Sequence, residues 1–193
     1  MRTYLDHNAT SPLRPEARDA MIAALELGGN ASSVHGEGRT ARALIEQSRE
    51  TIARALGTIA PTVVFTSGGS ESCNMALRGV EVDRIIVSAI EHPSVLEAAK
   101  AAGKPVSVIP VNANGVIDLE ALDRLLAAGE GRALVSVMMA NNETGALQPV
   151  RDVVAIAGKY GALVHCDAVQ AFGKVPVNFG LLGVDMLSVS AHK

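Results

Sequence analysis

The chain has 193 residues, is 48% hydrophobic and only 3% aromatic, lacks tryptophan, and carries a net charge of −3. This suits a folded domain with an aliphatic core and excludes a disordered chain. No basic stripe marks a nucleic-acid surface, no apolar run approaches membrane-spanning length, and the first six residues lack a signal peptide's apolar stretch.

Two cysteines, Cys73 and Cys166, form neither a metal-ligand spacing nor a disulfide framework. A reducing, cytoplasmic setting is therefore expected, with neither nucleic acid nor membrane as a partner. In chain order, residues 4–10 (YLDHNAT) form a short polar–apolar entry segment. Pro12 and Pro15 then open a helix with Ala17, Met21, Ala24 and Leu25 as its apolar stripe. Gly28 and Gly29 end it, and a loop of small polar residues leads to a long helix over 37–56, stopped by Gly57.

From there strand and helix alternate. Strands are expected at 62–65, 84–89, 106–110, 132–139, 163–166 and 184–190, and helices near 73–77, 93–102, 119–128 and 150–160. Val/Ile-rich runs separated by helices, without hairpin signals, predict an α/β fold: three layers, with a mostly parallel sheet covered by helices on both faces. In such sheets ligands bind outside the carboxyl ends of the strands.

Five of these ends carry polar residues that a simple turn does not need. Residues 66–72 (TSGGSES) put glycines and Ser70 before a helix, where free amides and the positive end of the helix dipole suit a phosphate; a serine-capped turn is the alternative. His92 stands just before a helix start, able to stack on a flat ring or move protons, or simply solvated. Asn141 and Asn142 follow another strand and offer amides for a hydroxyl or a carboxylate. Asp167 ends a strand, and a carboxylate buried there needs a cation; a protonated pyridine nitrogen would serve, as would a structural ion pair. Ser190, His192 and Lys193 close the series, and a desolvated lysine amine is a nucleophile. Phosphate cradle, ring stacker, amide donors, pyridine partner and amine together describe a site for pyridoxal 5′-phosphate.

The strings 4–10 (YLDHNAT), 66–72 (TSGGSES), 90–95 (IEHPSV), 140–145 (ANNETG), 165–170 (HCDAVQ) and 190–193 (SAHK) also resemble the cysteine desulfurases. These are class V members of the aminotransferase superfamily, with the large-domain fold of fold type I pyridoxal phosphate enzymes. The resemblance implies that Lys193 carries the cofactor and later acts as a base, while His92 stacks on the ring and assists proton transfer. Asp167 would pair with the ring nitrogen. Gln170 and Asn142 would lie on the ring-hydroxyl side, with Asn142 also near the substrate carboxylate. Gly69, Ser70, Ser190 and His192 would hold the phosphate.

The implied activity takes sulfur from L-cysteine, releases alanine, and passes the sulfur to an acceptor protein for iron–sulfur clusters or thiolated cofactors. A homodimer is the implied assembly, or a second chain supplying a carboxyl-terminal half. A selenocysteine lyase, another class V aminotransferase, or a non-catalytic pyridoxal phosphate-binding fragment are the alternatives.

Two departures from the family pattern are local: Ser70 stands where threonine is more usual, and Cys73 where asparagine is common. The third is large. Residues 1–193 correspond to the amino-terminal segment and most of the cofactor-binding domain, whereas family members continue into a loop with the persulfide cysteine and a small carboxyl-terminal domain. Cys73 and Cys166 match neither that cysteine nor its position, and both are expected to be packing thiols.

Overall fold

The computed structural model describes residues 3–193 and divides into two units: residues up to Phe65 together with His192, and residues 66–191 together with Lys193. Among the described residues no helix is long and apolar enough to cross a membrane.

In the first unit, α1 (Pro15–Glu26) starts where expected, with Pro15 supplying a helical φ at a position whose N–H has no acceptor. Its stripe is not covered: α1 has no buried residue, and Met21 and Leu25 are exposed. Helix α2 (Gly36–Leu56) is capped by the His35 ring, which accepts from the Gly38 amide at 3.4 Å, and is closed by Gly57 in the left-handed conformation (φ 66°). Gly38 has no room for a side chain, since a Cβ there would lie 2.4 Å from the Ser33 carbonyl oxygen.

The strand expected at 62–65 does not form. Ala60–Thr62 is a 3₁₀ turn, with the Thr62 hydroxyl donating to the Ile59 carbonyl. The run that follows is held by α2: the Arg49 guanidinium donates to the Val63 carbonyl and lies 4.9 Å from the Phe65 ring centre. A short apolar run carries no periodicity that separates a strand from an extended segment tied down by one arginine.

The second unit realises the expected α/β design with five strands. They are β1 (Arg84–Ser88), β2 (Val106–Ile109), β3 (Ala133–Ser136), β4 (Leu163–Asp167) and β5 (Met186–Ser188), all parallel, in the order β2-β1-β3-β4-β5. The helices are α3 (Gly69–Gly79), α4 (Pro93–Ala101), α5 (Leu119–Ala128), α6 (Val150–Lys159) and a short α7 (Phe179–Leu182) that the sequence pattern did not announce.

Strand alternation sorts the side chains into two cores. Ile85, Val87 and Leu134 pack with Leu77 of α3 and Val95 of α4, while Ile86, Val135 and Val164 pack with Leu122 of α5 and Val153 of α6. The sheet is therefore the middle of three layers, which is why its strands are apolar on both faces. The chain moves outward from β1 to β2, then crosses back over β1 to reach β3 and continues to β5. Neighbouring β1 and β3 thus send their connections in opposite directions, and the carboxyl ends of such a pair are where open α/β sheets bind ligands.

Leu134 is fully buried in the central strand β3. Leu134→Ala removes packed volume that neither helix layer can refill, so it is expected to cost about 2–5 kcal/mol, read as a lower urea midpoint with the slope unchanged.

Candidate functional site at the carboxyl edge of the sheet

The sheet's carboxyl edge carries Glu91 and His92 after β1, Asn141 and Asn142 after β3, Asp167 at the end of β4, and Ser190 and Lys193 after β5. The amino end of α3 closes on the same edge: a Cβ on Gly69 would come within 3.1 Å of Val169 Cγ2, two residues beyond Asp167. The Ser72 hydroxyl also lies 2.7 Å from that of Ser188 on β5.

Asp167 is 6% exposed, and its Oδ1 accepts the Val169 amide at 2.9 Å. Among the described residues no salt bridge includes it. Burial raises its carboxyl above the usual range, against the Val169 hydrogen bond and the positive charges of His92 and Lys193. A nearly buried carboxylate without an ion-pair partner has the chemistry to take a flat, protonated nitrogen heterocycle.

Lys193 is half-buried, and its charge also depresses the Lys174 amine, although burial is the larger cause there. Lys174 Nζ donates to Gln170 Oε1 at 2.8 Å, which places Gln170 beside Lys174.

Ser70 does not cap α3. The cap position is Gly68, in extended backbone, and no side chain caps the helix; Ser70 sits inside the first turn, exposed. Ser70 misses the cap because the helix begins one residue before it, at Gly69. Glu71 instead accepts the Ser67 amide at 2.5 Å, which lowers its carboxyl pKa. The first-turn amides thus lack a side-chain cap, the arrangement an anion requires.

His92 is an exposed ring and at the same time the cap of α4: its Nδ1 accepts the Ser94 amide at 3.1 Å and lies 2.7 Å from the Ser94 hydroxyl. Accepting at Nδ1 leaves the neutral ring's proton on Nε2.

Of the two asparagines, Asn141 is structural. Its Oδ1 gathers the amides of Glu143 and Thr144, and its Nδ2 donates to the Ile90 carbonyl. Asn142 is half-buried, with Nδ2 donating to Glu143 Oε1 at 2.7 Å. Ser190 is half-buried. His192 belongs to the first unit, where its carbonyl accepts from the Ser11 amide and the Thr10 hydroxyl.

Sequence reasoning assigned no role to His165, which is fully buried. Its Nδ1 lies 2.9 Å from the Ser136 hydroxyl and its Nε2 2.9 Å from the Ser188 hydroxyl. With Ser72 this makes a chain Ser136–His165–Ser188–Ser72 from β3 through β4 and β5 to α3. The available signal was period-two alternation, which puts His165 on Asp167's face of β4.

Both thiols are buried, as expected of packing residues. Burial, aided by Asp167, pushes Cys73 up to about 12, and burial places Cys166 well above its ordinary value.

Burial lowers His165 to about 4 from an ordinary value near 6.5. The folded state therefore binds fewer protons than the unfolded chain, so this contribution to stability is complete above pH 6.5 and lost as pH falls through 4. His165→Gln is expected to remove that part of the acid-side loss, on the order of 3 kcal/mol, measured as the change in unfolding free energy between pH 7 and pH 4 for both proteins.

Residues 3–193 match the family model described as aminotransferase class-V. The chain is 44% identical over 200 residues to a cysteine desulfurase IscS from Dictyoglomus turgidum, covering 98% of this chain and 50% of that protein. It is 40% identical over 203 residues to an IscS-like cysteine desulfurase from Mycobacterium tuberculosis, covering 98% and 52%. Among solved structures, a NifS-like protein from Rickettsia africae superposes with a TM-score of 0.92 at 41% identity, covering 98% of this chain and 54% of that one. The chain spans about half the length of the curated relatives it matches. With the family model matching nearly end to end over a parallel sheet shared with those structures, the chain belongs to the class-V aminotransferase family.

Proposed function

We propose that residues 1–193 are the cofactor-binding portion of a cysteine desulfurase dependent on pyridoxal 5′-phosphate, acting on L-cysteine. The observation that carries this reading is Asp167: a carboxylate buried at the carboxyl end of β4, without a salt bridge, and acted on by the charges of His92 and Lys193. The relatives named cysteine desulfurase support the choice of substrate.

When bound, pyridoxal phosphate supplies a ring that withdraws electrons from the carbon next to a substrate amino group. Asp167 then keeps the ring nitrogen protonated by offering it a fixed negative charge. Lys193 supplies the anchoring amine and later accepts a proton at Nζ. His92, with Nδ1 committed to α4, presents Nε2 for stacking and proton transfer. The uncapped amides at Gly69 and Ser70 would receive the phosphate with Ser190. Gln170 and Asn142 orient the ring-hydroxyl side, and Asn142 the substrate carboxylate.

Sulfur acceptance falls outside this set of residues. A persulfide requires a thiolate that the substrate can reach, and Cys73 and Cys166 are buried thiols held protonated. The accepting cysteine is therefore supplied by a segment beyond residues 1–193 or by a partner chain. The sulfur then passes to an acceptor protein for iron–sulfur cluster assembly. A cytoplasmic homodimer is the assembly we propose for the whole enzyme.

Three measurements test this reading. Incubation with pyridoxal phosphate followed by borohydride is expected to fix a single mass adduct on Lys193, absent in Lys193→Ala; adducts on surface lysines alone would overturn the assignment. Asp167→Ala is expected to weaken cofactor retention at least tenfold. In the complete enzyme, supplied with a thiol reductant that cleaves the persulfide, alanine and sulfide are expected from L-cysteine, with both lost in Lys193→Ala. A strong preference for selenocysteine would reassign the substrate while leaving the cofactor site intact.

A further inference from the structure

Glu91 has no part in the reading above, yet it is 5% exposed at the carboxyl ends of the neighbouring strands β1 and β3. Its Oε1 accepts two hydrogen bonds, from the Ser88 hydroxyl at 2.5 Å and from the Met138 amide at 2.7 Å. Ser88 ends β1 and Met138 lies just past β3, so one oxygen bridges the two strands whose connections diverge. Asn141 adds a second tie between the same loops by donating to the Ile90 carbonyl at 3.0 Å. The other oxygen, Oε2, is buried and has no hydrogen-bond partner.

We propose that Glu91 is a positioning residue, held as the neutral acid, that latches the turn carrying His92 onto the exit of β3. An ionised carboxylate at this place would leave half its charge facing a dry region without a donor or a cation. A neutral acid leaves only one O–H unpaired, a far smaller penalty.

The surrounding groups point the same way. Asp167 from β4 raises Glu91 further, while Cys73 from α3 and Cys166 from β4 are protonated thiols that offer no positive charge. On its own loop, His92 acts on Asp167, as Lys193 does. Burial is the largest cause in a balance that pushes Glu91 up to about 8. His92 and Lys193 favour the charged form of Asp167, whereas the charge that acts on Glu91, that of Asp167, disfavours its ionisation. Glu91 holds its proton and so spares Asp167 a second negative charge.

The test uses the whole 193-residue chain without cofactor, so its outcome is independent of the cofactor assignment. In ¹³C carboxyl NMR, the Glu91 side chain is expected to titrate near pH 8, apart from the exposed glutamates. Titration in the ordinary range of about 4–5 would overturn the proposal. Glu91→Gln keeps an acceptor for both donors and carries no charge. It is expected to fold, to retain slow exchange of the Met138 amide, and to preserve the His92 ring shifts.

Glu91→Gln should also lose the stability decline that the wild type shows as pH rises from about 4.5 through 8. This is the sign expected when the folded state holds its proton more tightly than the unfolded chain. Glu91→Ala, which removes the acceptor, is expected to speed Met138 amide exchange at least tenfold and to shift the His92 resonances. Should Glu91→Ala fail to fold, the wild-type titration and Glu91→Gln still decide. Failure of Glu91→Gln to fold, or its matching Glu91→Ala in exchange rate, would show that the charge is required and would sink the latch.

Discussion

Five parallel strands that end at one edge bring their polar termini into a region water reaches poorly, and the local chemistry follows from that constraint. Asp167, Glu91 and His165 are each at least nine-tenths buried there. Water cannot solvate them, so each must be neutral, hydrogen-bonded or matched with an opposite charge. His165 takes the neutral, hydrogen-bonded solution between two serine hydroxyls, and Glu91 places two donors on one oxygen. Asp167 receives one amide and the electrostatic influence of His92 and Lys193, and is the group for which a ligand would complete the set.

The same constraint links the site to the sheet. The chain from Ser136 through His165 and Ser188 to Ser72 ties three strands to the first turns of α3, so the uncapped amides of that helix are fixed relative to Asp167 by buried hydrogen bonds. Glu91 makes the matching tie between β1 and β3. Each side of Asp167 is thereby held by polar contacts on rigid elements, a better basis for positioning a ligand than mobile loops. Buried networks of this kind are costly when half satisfied, so a defect in one serine should be felt across the set.

Much of this was legible in the sequence, and the exceptions have physical causes. The strands at 84–89, 106–110, 132–139, 163–166 and 184–190 were found because burial on both faces leaves nearly continuous Val/Ile/Leu runs, though four of the regular strands proved shorter than their runs and β4 extends one residue further, to Asp167. Asp167 and His92 could be placed at the sheet's carboxyl edge because a polar residue at or soon after the end of such a run lies there by construction. Residues 62–65 misled because a four-residue apolar run is extended either way, and Arg49, far off in sequence, decides how it is held. Ser70 misled as a cap because the helix starts at Gly69. The roles of Glu91 and His165 were hidden because burial and pairing depend on donors from other strands. A sequence shows the residue type but not the Met138 amide that meets it.

Cys73 shows how competing effects are settled by size. It lies in the second turn of α3, where the helix dipole favours a thiolate by at most about 1–2 kcal/mol. Its displacement to about 12 corresponds to about 4 kcal/mol in the opposite direction, from burial first and the Asp167 charge second. Burial wins, and the same carboxylate that suits a cationic ring keeps the nearest thiol protonated. Burial thus takes Cys73 out of the set of reactive groups at this edge, while Lys193, half-buried, acts on Asp167 through its charge.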